Sequence, residues 1–189
     1  MERKPRGYVG LNHETIGSDI LAVLKALHAP ERALGSELLA RLNTVKADQW
    51  YPISWLLEAL EAMDQKLGTY ALRNVGWKLF ELSHAETVKK VASSARDILY
   101  GFDGFYRHAN RGGNIGGWKV LSFAPGHAEL DKTTPHHCMM EEGIIQEALR
   151  TMGVKSEVTQ RECFRKGAES CVFLIDSPIR DARWSGMPR

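Results

Sequence analysis

Through the first half of the chain, apolar positions recur at three- and four-residue intervals, the spacing of one helix face. Ile20, Leu21, Val23, Leu24 and Leu27 follow Ser18 in this way until Pro30 interrupts them. Pro30-Glu31-Arg32 opens a second predicted helix carrying Leu34, Leu38, Leu39 and Leu42, with proline where a first helical turn tolerates it. Asn43 to Trp50 is a polar connection. Ser54 is a candidate N-cap for a third helix with Leu56, Leu57, Leu60, Met63 and Leu67, and Gly68 ends it. A fourth begins at Thr69 or Tyr70 and carries Leu72, Val75, Leu79 and Phe80; its Gly76 marks either a close approach or a weak point. Ser83-His84-Ala85-Glu86 matches a capping box. It predicts a fifth helix with Val88, Val91, Ala92, Ala95, Ile98, Leu99 and Phe102 on one face, reaching toward Tyr106.

At Asn110 the period changes. Asn110 to Gly117 holds four glycines in eight residues and leads into a predicted strand, Trp118 to Phe123. Phosphate cradles lie between a strand and a helix and, in the Walker case, need Lys-Ser/Thr, so a nucleotide reading is excluded. Pro125-Gly126 turns the chain. Thr134 as N-cap and Pro135 at the first position predict a helix to about Met152, with Cys138, Ile145, Leu149 and Met152 on one face. Val154, Ser156 and Val158 then alternate, and an apolar run, Val172 to Ile175, follows Cys171. With Gly167 between them these segments read as a β-hairpin. A turn centred on Gly167 would oppose Cys163 and Cys171, with Cβ atoms about 4.5–5.5 Å apart. The pattern predicts an α+β fold in which N-terminal helices pack on a small antiparallel β-sheet. One domain spans residues 1–176, with a helical half at 13–109 and a second half at 110–176. Residues 1–12 form an arm or short strand, and 177–189 an Arg-rich surface tail.

Composition narrows the function classes. A length of 189 residues suffices for one domain with a sizeable core, and 43% hydrophobic with 25% charged residues is ordinary for a soluble protein. The 25 basic residues are dispersed and the net charge is +2, so no concentrated basic face for nucleic acid is expected. No apolar run approaches the roughly 18–20 residues of a membrane span, and Met1 to Pro5 leads into no secretory apolar region. Three cysteines, an odd number, then point to a reducing compartment, by default the cytoplasm.

Those cysteines are the only candidates for chemistry. They pack as core residues, oxidise together, or share a metal. Three thiolates with one further ligand make a closed tetrahedral zinc site. Cys138 would lie in a helix's first turn, with Glu141 and Glu142 on the same face and His137 beside it, and each is a candidate fourth ligand. No CxxC is present. His84 and His108 are the candidates for a proximal haem ligand; as plain residues His84 faces solvent in a first helical turn and His108 is a polar helix end. The carboxylate pairs Glu141-Glu142 and Glu129-Asp131 read as surface charge, and no nucleophile–base pair is evident.

The glycine-rich lead-in, the strand with Trp118, Thr134-Pro135-His136-His137-Cys138, Glu142-Gly143, and Cys163 eight residues before Cys171 together resemble the 4-vinyl reductase domain. The likeness covers about Arg111 to Ile175. It implies the larger fold shared with haem nitric-oxide-binding domains and subunits of the TRAPP trafficking complex. It also implies a pocket for small hydrophobic molecules, as in sensory domains that bind aromatic effectors and dimerise. A pocket tryptophan of those domains falls near Trp118, with Phe123 and Tyr106 as further expected lining. Their zinc-binding cysteines fall on Cys138, Cys163 and Cys171. The acidic residue that completes that site is Gln160 here, so either another residue, Glu142 foremost, supplies the fourth ligand or zinc is absent. The Tyr-x-Ser-x-Arg porphyrin motif does not occur in the sequence. Three readings follow: a ligand-binding sensor acting through a signalling partner or a dimer mate, a haem or tetrapyrrole protein, and an adaptor resembling the trafficking subunits.

Overall fold

The computed structural model describes residues 12–186, so the expected N-terminal arm lies almost wholly outside it. The helical half contains α1 (Gly17–Lys25), α2 (Pro30–Leu34), α3 (Ser36–Leu42), α4 (Ile53–Leu67) and α5 (Thr69–Ser83). Their apolar stripes meet: Ile20, Val23, Leu34, Leu42, Leu56, Leu60, Met63, Leu72 and Leu79 form one buried cluster. The single predicted helix from Pro30 is two, because at Gly35 the backbone turns to φ 85°, outside the helical region. Three short strands clamp the ends of this half together. β1 (Glu14–Ile16) lies antiparallel between β2 (Trp50–Pro52) and β3 (Asn110–Arg111).

The capping box at Ser83 does not form. Ser83 closes α5 and its hydroxyl donates to the Ser18 carbonyl, while α6 (Ala85–Val91) starts without a side-chain cap. The next helix, α7 (Ala95–Ala109), is capped by Ser94, whose Oγ accepts the Asp97 N–H at 3.2 Å. The Asp97 carboxylate in turn accepts the Ser93 N–H at 2.9 Å. Continuous apolar spacing across Val91 to Ile98 had hidden this break.

The second half builds a four-stranded antiparallel sheet in the order β4-β5-β7-β6. Its strands are β4 (Trp118–Ala124), β5 (His127–Lys132), β6 (Glu157–Glu162) and β7 (Cys171–Asp176). β5 is absent from the sequence-based expectation. Its inner row is Ala128, Leu130 and Lys132, and a lysine at the third core position breaks the alternation that marks a strand. α8 (Cys138–Arg150) lies between the sheet and the helical half. It begins later than Thr134-Pro135 predicts: Thr134 turns its hydroxyl to Glu141, and His137 caps the helix by accepting the Met139 N–H at 3.2 Å. A second buried cluster joins Ile98, Leu99, Phe102 and Tyr106 of α7 to Leu130, Ile145, Leu149, Phe173 and Ile175.

α5 makes its most extensive packing with α8. A Cβ on Gly76 would stand 2.0 Å from the Met140 carbonyl oxygen, and one on Gly143 would stand 2.1 Å from that of Arg73. Glycine at both places lets the two helix backbones touch, which settles Gly76 as a close-approach position. The tail also departs from expectation. α9 (Ala182–Ser185) is capped by Asp181, and Trp184 is fully buried. Its ring stacks on Phe123 with centroids 5.4 Å apart, and its Nε1 donates to the Ala124 carbonyl at 2.7 Å. Among the described residues no helix is long and apolar enough to cross a membrane.

Candidate metal centre and internal chamber

The three cysteines converge. Cys138 is the first residue of α8, Cys171 the first of β7, and Cys163 follows β6. A bulge between Gln160 and Glu162 sets Glu162 opposite Val172, so Cys163 sits one residue beyond the ladder and opens a 3-10 turn, Phe164–Lys166. Cys138 Sγ lies 3.6 Å from Cys163 Sγ and 3.1 Å from Cys171 Sγ, and all three sulfurs fall within 4.8 Å of one another. All are buried, and none is in a disulfide. Tetrahedral bonds of about 2.3 Å from zinc set sulfurs about 3.8 Å apart, so a small expansion of this cluster accommodates the ion.

Among the described residues no carboxylate or imidazole joins the sulfurs. Glu142 is buried but its carboxylate pairs with Arg73 of α5. Glu141, also buried rather than on the surface, accepts from His136 Nδ1 and from Thr134, each at 3.2 Å. His137 Nε2 faces Asp64 at 3.4 Å, and burial, then the Arg165 charge, push its pKa down to about 4.

What approaches the sulfurs instead is Lys132. This side chain is fully buried, and its Cα partners across the sheet are Trp118 and Cys171. Its Nζ donates to the His136 carbonyl and to Cys138 Sγ, the latter at 3.6 Å, and lies 5.6 Å from the centre of the Phe164 ring. Burial alone would push the Lys132 pKa down; the charges of Cys138, Cys171, Glu141 and Cys163 outweigh it and hold it above the usual lysine range. Hydrogen bonds from Cys138 and Cys171 push Cys163 down, whereas Cys138 and Cys163 push Cys171 up. Sequence reasoning passed over Lys132, because a lysine on the core row of β5 breaks the alternation that would have marked both the strand and its buried face.

A chamber of about 50 Å³ lies on the other side of α8, against α5 and α7. Phe80, Phe102, Tyr106 and Trp118 supply aromatic walls, and His84, Asn110, His136 and Glu141 the polar ones. Phe102 meets Trp118 edge-on at 4.9 Å, and Trp118 contacts Phe173 at 5.5 Å. Tyr106 donates its hydroxyl to the Ile115 carbonyl at 2.7 Å, and burial raises its pKa. His84 is not solvent-facing: its Nε2 stands 3.2 Å from Asp19 Oδ1. Burial pushes its pKa down, but the charge and hydrogen bond of Asp19 outweigh that and raise it. Burial likewise pushes Glu141 up, and the hydrogen bond and charge of His136, with Lys132 and Thr134, overcome it and keep the carboxyl low. An ionised Glu141 assigns the proton on His136 to Nδ1. His136 Nε2 and Asn110 Oδ1 are buried without a hydrogen-bond partner.

Of the residues expected to touch a ligand, Trp118 and Tyr106 line this chamber. Phe123 does not; it is half-buried on the same face of β4 but at the strand's other end, opposite Ala128 and between Trp184 and Tyr100. His108 is exposed at the end of α7.

No protein-family model matches the chain, and no curated protein matches it. Solved structures do. An H-NOX protein from S. oneidensis, a triple mutant in its Fe(II) ligation state, superposes with a TM-score of 0.66 at 14% identity, covering 88% of this chain and 98% of that one. The chain has the H-NOX fold. An unliganded Fe(II) H-NOX protein from K. algicida gives 0.61 at 12% identity, over 86% and 96% of the two chains. A structure from work on heme distortion in the H-NOX family gives 0.65 at 13%, over 87% and 94%. The H-NOX likeness, at 86–88% of this chain, thus extends into both halves.

Proposed function

We propose that the chain is a non-catalytic sensory domain that admits a small, largely apolar ligand beside Trp118 and Tyr106 and passes the change to a partner protein or a second copy. The observation that carries this reading is the chamber: aromatic walls, with the unpartnered polar atoms Asn110 Oδ1 and His136 Nε2 on its lining residues. A volume of about 50 Å³ accepts a diatomic or ordered water directly. An aromatic ligand would have to displace the Phe102 or Tyr106 ring. Met140, Glu141 and Ile144 of α8 also line the chamber, so ligand entry bears on the helix that begins at Cys138.

The cysteines fit a zinc ion by donor type, burial and spacing. Zinc, when bound, would supply a cross-link. Cys138, Cys163 and Cys171 would hold it and fix the start of α8 to the hairpin, so displacement inside the chamber is felt at the other end of α8. Saturable quenching of tryptophan fluorescence by small aromatic compounds, abolished in the Trp118→Phe variant, tests the ligand reading; no response from a broad panel would end it.

A second reading is a haem-binding gas sensor. The H-NOX neighbours are Fe(II) proteins by their descriptions, and His136 carries the arrangement of a ligating imidazole, Nε2 free and Nδ1 held by a carboxylate. The chamber of about 50 Å³ is smaller than the roughly 300–1,000 Å³ usual for ligand pockets, so a porphyrin there would have to displace wall residues such as Phe102 and Trp118. Incubation with haem separates the two readings. A Soret band abolished by His136→Ala favours haem, and a colourless protein after incubation favours the small apolar ligand.

A further inference from the structure

We infer that Lys132 is the built-in counter-ion of a three-thiolate site, so that the protein holds a divalent thiophilic cation with three sulfurs and no fourth side chain. The inference rests on the metal reading of the cysteine cluster and adds what completes it. Lys132 occupies a core position on β5, in line with Ala128 and Leu130, and is fully buried. A lone ammonium there costs several kcal/mol unless an anion faces it. Among the described residues no carboxylate forms an ion pair with it. The two buried acids nearest in sequence are committed elsewhere, Glu141 to His136 and Thr134, and Glu142 to Arg73. The anion must be sulfur: Cys138 Sγ is 3.6 Å from Nζ, and Cys171 is the cross-strand partner of Lys132.

The charges then sum to zero. Three thiolates and a divalent ion leave one negative charge, which the ammonium cancels. A carboxylate added as fourth ligand would leave a buried excess, and no carboxylate is placed to add one. Lys132 also spans to the backbone of His136, whose ring lines the chamber. The counter-ion is thereby fixed from both sides and does not swing in as a ligand.

The test loads the full-length protein with zinc, and separately with cadmium as a spectroscopic stand-in. X-ray absorption on the zinc form and cadmium NMR on the other read the donor set. The expected result is three sulfurs with no nitrogen or carboxylate donor from the chain. Lys132→Met is expected to weaken zinc binding by about 10–100-fold, the usual cost of losing an outer-shell partner, and Lys132→Arg to restore most of it. A lysine nitrogen or a carboxylate in the donor set overturns the inference, as does Lys132→Met binding zinc as tightly as wild type. Should Lys132→Met fail to fold, the wild-type spectra decide alone. Wild-type protein that binds no metal overturns the cluster reading itself, an outcome distinct from an indifferent Lys132.

Discussion

The sulfur cluster and the chamber lie on the two sides of α8, and both are buried and polar in part, yet they are built in opposite ways. At the cluster the groups are dense and mutually satisfied: three sulfurs, one ammonium and a carbonyl answer one another within a few ångströms. At the chamber the walls are aromatic, and the polar atoms Asn110 Oδ1 and His136 Nε2 have no answer. A satisfied polar network rigidifies its surroundings, whereas an unsatisfied one in a void is a place where something can bind. On the proposed reading, the cluster would hold α8 in place and the chamber would do the sensing.

Breaking the cluster should have the largest effect. Cys171→Ala removes a proposed metal ligand and the sulfur opposite Lys132, and is expected to cost about 3–5 kcal/mol in denaturant unfolding and, on the metal reading, to abolish zinc binding. A cost below about 1 kcal/mol would place the cluster among ordinary core residues. Next comes the chamber wall: Phe102→Ala should cost about 3 kcal/mol by leaving a cavity, yet admit larger aromatic ligands than wild type does. If affinity for every ligand falls with stability, the wall is core and nothing more.

Acid should act somewhat less strongly than either, through His137. Its pKa is pushed down to about 4 in the fold against about 6.5 when unfolded. Above about pH 6.5 the ring is neutral in both states and stability is full. Between 6.5 and 4 the unfolded chain binds the proton first, so stability falls by roughly 2–3 kcal/mol. His137→Gln should flatten that slope in equilibrium unfolding at several pH values. The smallest effect is expected at His84, on the chamber side. Its pKa is raised by Asp19, so its contribution is present below about pH 6.5 and fades as pH rises through the higher folded value. His84→Gln should lower stability at pH 5.5 by about 1 kcal/mol or less and leave pH 9 unchanged.

How much of this was legible in the sequence follows the same division. The cluster was: a hairpin around Gly167 and a helix starting near Cys138 bring three cysteines together by local rules. The helices of the first half were legible from their apolar periods. The chamber was not, because its walls come from α4, α5, α7, β4 and α8, and Phe80 or Phe102 reads as plain core until the packing is known. Lys132 hid the strand β5 and its own role together, since a charged residue on a core row cancels the alternation that would reveal it. Trp184 was missed because one aromatic in an Arg-rich tail carries no period. Glu141 and Glu142 were read as surface charge because their partners, His136 and Arg73, are fixed by tertiary packing.

The most direct test is a titration of the metal-loaded protein with small aromatic compounds, followed by amide NMR. Saturating shifts centred on Trp118, Tyr106 and the first two turns of α8, with the protein colourless after exposure to haem, are predicted. A chamber that leaves every one of those signals unmoved, or one that takes up haem through His136, would contradict the account.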